Sequence, residues 1–145
     1  MSFRYTLQKV LDIKDREKKT SENEYNKATK QFEEMATRLY DLLKKKEDLE
    51  SSCQQQMNQG IPIHQLQQHQ TLLMRLNVDI DRQQQSTNLA RNIMYQKQED
   101  FVEASIELKK YEKMKEIRYE EYIEEQKRMD NMRMDEISLQ LYVNR

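Results

Sequence analysis

The sequence predicts an all-α fold: an antiparallel two-helix coiled-coil hairpin whose second helix is longer than the first. Three observations lead there. The 145 residues contain one Gly and one Pro, which leaves almost no sites for tight turns, because φ > 0 is cheap only for Gly. Apolar side chains recur seven apart in two interleaved series along most of the chain, the spacing of a helix seam that meets a partner helix. Hydrophobic residues make up 36% and charged residues 35%, too apolar-poor for a globular core of ordinary depth. The recurrent Leu, Ile, Met and Tyr, without helix breakers, separate the chain from a disordered one.

The chain is expected to form a single coiled-coil domain, 1–145. Its first helix is expected over 3–58, a length of about 84 Å at 1.5 Å per residue, which needs a partner helix to be stable. The bend follows at 59–64. Gly60 supplies a left-handed C-cap, and Pro62 stops propagation and biases Ile61 toward extended geometry. The second helix is expected over 65–136, with 137–145 a frayed tail.

In the first arm Tyr25, Phe32 and Leu39 form one series, and Ala28, Met35, Leu42 and Leu49 the other. In the second arm Leu66, Leu73, Ile80, Met94, Phe101 and Leu108 alternate with Leu76, Ala90, Ala104 and Tyr111. A reversal near Ile61 makes the numbers of facing residues add to about 122, so Leu49 meets Leu73 and Leu42 meets Ile80. From Lys14 to Glu24 there is no large apolar residue, and packing is expected to weaken there. Beyond about Tyr119 the second arm outruns the first, leaving Tyr122, Ile123, Met129, Met132, Ile137, Leu139 and Leu141 without an intrachain partner. At the N-terminus Phe3, Tyr5, Leu7, Val10, Leu11 and Ile13 cover more of the helix than one seam uses. Both ends therefore call for another protein.

Charge and composition exclude several function classes. With 25 Lys+Arg against 26 Asp+Glu, the net charge is -1 and the signs interleave, so there is no one-sided basic field for nucleic acid or a membrane surface. No apolar run approaches 18 residues and the opening segment lacks a signal-peptide core, so direct membrane insertion is not expected. A lone Cys53 forms no internal disulfide, which fits a reducing compartment. One glycine builds neither a Walker loop nor a dinucleotide fingerprint. Cys53, His64 and His69 match no zinc spacing, and both histidines are expected as surface groups flanking the bend. Glu120, Glu121, Glu124 and Glu125 lie on a thin hairpin where nothing desolvates them for acid–base work. Met129, Met132 and Met134 suit an adaptable helical partner surface better than a thioether metal site. The chain is therefore expected to be no enzyme and to need no cofactor or metal. Between Ser51 and Ala90 only Arg75, Asp79, Asp81 and Arg82 are charged, so the tip is polar but charge-poor. A solvated Gln-rich bend and a docking surface are equal alternatives on composition.

The opening Phe3-Arg4-Tyr5-Thr6-Leu7-Gln8-Lys9-Val10-Leu11, the two-helix layout around Gly60, and the closing Arg128-Met129-Asp130-Asn131-Met132-Arg133-Met134-Asp135-Glu136 resemble the FliJ family of the bacterial flagellar type III export apparatus. The resemblance covers the whole chain and implies a stalk-like coiled-coil hairpin. It implies a role in flagellum biogenesis, protein export and motility, with chemotaxis dependent on it. As partners it implies the hexameric export ATPase (FliI-like) at the joined terminal end, the cytoplasmic domain of the export gate (FlhA-like) nearer the tip, and export chaperones, which a general export chaperone would handle.

Residue by residue, the resemblance assigns Phe3, Leu7, Val10, Leu11, Met129, Met132 and Met134 to the ATPase, and Leu42, Leu49, Leu72 and Leu76 to the gate. Leu42, Leu49 and Leu76 fit seam positions as well, whereas Leu72 lies off the seam. Lys45 and Leu49 stand where some relatives carry aromatics. The expected location is cytoplasmic, peripheral to the inner face of the cell membrane at the flagellar base, with the chain monomeric when alone. The alternative is a purely structural cytoplasmic coiled coil, one continuous helix through residue 60 that pairs as a homodimer.

Overall fold

A computed structural model describes residues 2–144. Among these the secondary structure is two helices, α1 (Gln8–Gln59) and α2 (Ile63–Val143), with no strand. They pack antiparallel against each other, α2 being the longer. The break between them falls where the sequence places it. Gly60 takes φ +83°, the left-handed cap position, and its N–H donates to the Met57 carbonyl at 3.2 Å. Two residues on, the Pro62 carbonyl accepts from Leu66 N–H at 3.3 Å, so the residue just before α2 caps its first turn and has no N–H of its own to satisfy. A single helix through residue 60 is thereby overturned.

A Cβ added at Gly60 meets no atom within 4 Å, so any penalty there is backbone strain alone. Gly60→Ala is expected to cost about 1 kcal/mol, and Gly60→Asn less, because Asn tolerates the left-handed region. Urea unfolding at unchanged slope reads this directly.

The element ends differ from expectation for physical reasons. Helix 1 starts at Gln8, not at residue 3. Residues 2–5 are non-helical because Phe3 and Tyr5 are drawn onto α2, with the Tyr5 hydroxyl donating to the Tyr111 carbonyl at 3.1 Å. Helix 2 starts two residues before 65 and runs through the expected tail to Val143, since no Gly or Pro follows Pro62 to stop it.

Packing groups the chain into two compact units, Met1–Thr20 with Val102–Arg145, and Ser21–Phe101. In the first, Tyr5, Leu11 and Leu108 form a buried cluster against which Phe3, Leu7 and Tyr111 pack. In the second, the half-buried and buried residues of α1 alternate four and three apart from Ser21 through Tyr25, Ala28, Phe32 and Met35 to Gln56, the heptad seam predicted from sequence. Facing partners there include Met35 with Thr87, numbers adding to 122, and Tyr25 stacked on Phe101 at 6.2 Å, adding to 126. No residue between Leu11 and Ala28 is buried. Lys14 and Lys18 are half-buried in this stretch, and the Lys14 ammonium lies 3.4 Å from Glu17, so the aliphatic stem covers apolar surface while the charge stays in water.

Candidate functional site

The residues assigned to a partner at the terminal end separate into two groups with different environments. Leu11 is 9% exposed, Tyr5 6%, and Leu108, opposite them, 4%. Phe3, Leu7 and Val10 are half-buried. The Phe3 ring meets Tyr119 edge-on at 5.3 Å and Tyr122 tilted at 5.5 Å, geometries that favour aromatic pairs. The Arg118 guanidinium sits 5.7 Å over the Tyr5 ring and donates to Thr6 Oγ1 at 2.8 Å. The N-terminal segment is thus fastened to α2 by rings, one cation and one hydroxyl. The apolar surplus expected to be free at the N-terminus is instead the core of this unit, because the non-helical residues 2–5 place Phe3 and Tyr5 where a continuous helix would not. Only Ile13 among the six is exposed.

Met129, Met132 and Met134 lie elsewhere on α2 and are exposed, as is every described residue after Gln126. Phe3 reaches Tyr122, so intrachain cover extends past the expected limit at Tyr119. The exposed end then carries Ile137, Leu139, Leu141 and Val143 in addition to the methionines. Its apolar side chains alternate with Glu124, Glu125, Lys127, Arg128, Asp130 and Arg133. The terminal set is therefore not one contiguous site: the methionines are available, and Leu11 is not.

In the second unit Leu42, Leu49 and Leu76 are half-buried seam residues, and Leu72 is 50% exposed. Leu72 lines a shallow surface groove with His64, Gln67, Gln68, Thr71 and Arg75. Leu49 and Leu73 border a separate groove of about 450 Å³ together with Cys53, Met57 and His69. This groove marks a level where the seam is incompletely filled, since Cys53, Gln56 and His69 occupy positions that hold large apolar side chains elsewhere. His69 is thus no surface group. Its Nε2 lies 2.9 Å from Gln56 Oε1 across the two helices, while its buried Nδ1 has no partner. Heptad spacing from Leu76 would have placed it in the seam.

Charged groups in both units form exposed pairs. Lys14 with Glu17, Lys19 with Asp15, Lys110 with Glu107 and Arg128 with Glu125 are one-turn pairs within a helix, and Lys97 reaches Glu24 on the other helix at 3.2 Å. Such solvated pairs contribute little, on the order of 0.5 kcal/mol each. Among the described residues no three His, Cys, Asp or Glu side chains converge in a way that would hold a metal. What the surfaces offer chemically is apolar contact.

A family model described as Flagellar FliJ protein matches residues 3–145. The Flagellar FliJ protein of Bacillus subtilis (strain 168) is 33% identical over 143 residues, spanning 99% of this chain and 97% of that relative. No solved structure matches the chain. With an exposed methionine-rich helix end, one Gly-Pro reversal and this likeness along nearly its whole length, the chain belongs to the flagellar FliJ protein family.

Proposed function

We propose that this flagellar export component is a non-enzymatic coupler. In this proposal the exposed end of α2 docks on the hexameric export ATPase, and the Leu72 face docks on the cytoplasmic domain of the export gate. The observation that carries the proposal is that each packing unit keeps an apolar surface uncovered: Met129, Met132 and Met134 in one, Leu72 in the other. A side chain of this size that passes from water into a partner contributes about 1.5–3 kcal/mol, and a few such anchors account for most of an interface's affinity. Methionine suits a partner surface that must accept a helix in more than one pose. No helix of the described residues is long and apolar enough to cross a membrane, so a position at the membrane's inner face depends on the gate.

Leu72→Asp tests the assignment. It is expected to weaken gate binding about tenfold or more while leaving ATPase binding unchanged, because an exposed position tolerates charge without loss of fold. Equal loss of both would show that the substitution acts on the fold and would remove Leu72 from the interface.

A further inference from the structure

Among the polar residues in the seam of residues 21–101, one is buried. Thr87 is 3% exposed, the buried polar residue of the described chain. It sits where the series Leu66, Leu73, Ile80, Met94, Phe101 and Leu108 holds large apolar side chains. Its hydroxyl lies 2.7 Å from the Gln83 carbonyl on its own helix and 3.2 Å from the Met35 carbonyl on the other. Gln83, the neighbouring seam residue, donates its side-chain amide to the same Met35 carbonyl at 3.2 Å and lies 3.3 Å from Met35 Sδ. Two side chains of α2 therefore converge on one backbone carbonyl of α1. That carbonyl is followed by Ala36, one of two alanines in α1, and a small neighbour leaves a helix carbonyl open to a visitor from outside.

Apolar contacts alone do not select this alignment. Seam residues alternate three and four apart on both helices, so sliding one helix along the other by about 5.4 Å, one turn, again sets seam against seam. Next to the bend the seam is loosely filled, by Cys53, Gln56 and His69, with His69 Nε2 2.9 Å from Gln56 Oε1. A slide would, however, move Gln83 and Thr87 away from the Met35 carbonyl and toward Leu39 and Leu42, taking from half-buried Gln83 its acceptor on α1 and from Thr87 the second of its two acceptors, the Gln83 carbonyl remaining. We propose that the Met35, Gln83 and Thr87 layer locks α1 and α2 of residues 21–101 in one register that the apolar seam does not select by itself. A single buried polar position that fixes register at a cost in stability is an established device in coiled coils. The proposal stands apart from the coupling role and does not require it.

The test places spin labels at Glu33→Cys and Arg75→Cys, both exposed, in the full chain with Cys53→Ser, and measures their distance distribution by pulsed electron resonance. The unsubstituted layer should give one narrow peak. Gln83→Leu with Thr87→Val should keep the helices paired, melt at the same temperature or higher, and show a second peak displaced by about 5 Å. Thr87→Val alone should show the same second peak at lower amplitude, and Thr87→Ser, which retains the hydroxyl, should not. An unchanged single peak in both apolar variants would overturn the proposal. So would loss of helix pairing in them, since a lock that costs stability cannot also be what holds the helices together.

Discussion

Leu11→Asp should destabilise the unit built from residues 1–20 and 102–145 by about 3–5 kcal/mol. Leu11 is nearly solvent-free between Tyr5 and Leu108. The substitution removes a methyl-rich side chain from that cluster and places a carboxylate in its buried site. The loss should be local. Amide hydrogen exchange is expected to quicken at residues 8–13 and 104–122, while Ala28 and Ile80 in the other unit keep their protection. Unchanged exchange at Leu108 would show that Leu11 is not core. The same burial changes how a loss of ATPase binding in such a variant is to be understood, because a disordered end cannot present any surface.

Charge placed on the exposed end of α2 should do the opposite. Met132 is 58% exposed and Met134 65%, so Met132→Asp with Met134→Asp leaves the melting midpoint within the range of ordinary surface changes, about 0.5 kcal/mol. Binding to the export ATPase should fall by a hundredfold or more, roughly two apolar anchors at 1.4 kcal/mol per factor of ten. Retained affinity with an intact fold would place the ATPase contact elsewhere.

Much of the fold was legible because few residues decide it. Gly60 and Pro62 mark the one reversal among the described residues, and the seven-residue repeats around Leu42, Ile80 and Met94 set which faces of the helices pair. What escaped were the polar members of those same repeats. Gln83 is seven residues after Leu76, Thr87 seven after Ile80, and Lys97 seven after Ala90. A search for apolar periodicity passes over them, although each occupies the seam. The N-terminus was misjudged for a different reason. A helical wheel drawn from Phe3 spreads Phe3, Tyr5, Leu7 and Leu11 around a cylinder, but residues 2–5 are non-helical and a turn closed by Gln8 N–H on the Tyr5 carbonyl precedes α1, so the wheel misplaces Phe3 and Tyr5. The outer side of α2 was silent as well. Met74, Val78, Leu89, Val102 and Ile106 are exposed and lie outside the two heptad series that the apolar seam follows.

The coupling role rests on one chain engaging two partners at once, and a bridging experiment reads that directly. The export ATPase is immobilised, and retention of the gate's cytoplasmic domain is measured with and without the full chain. Retention should require the chain, disappear with Met132→Asp and Met134→Asp through loss of the ATPase contact, and disappear with Leu72→Asp while the chain itself stays bound. Gate retention that is equal without the chain, or displacement of the chain from the ATPase by the gate domain, would contradict the account.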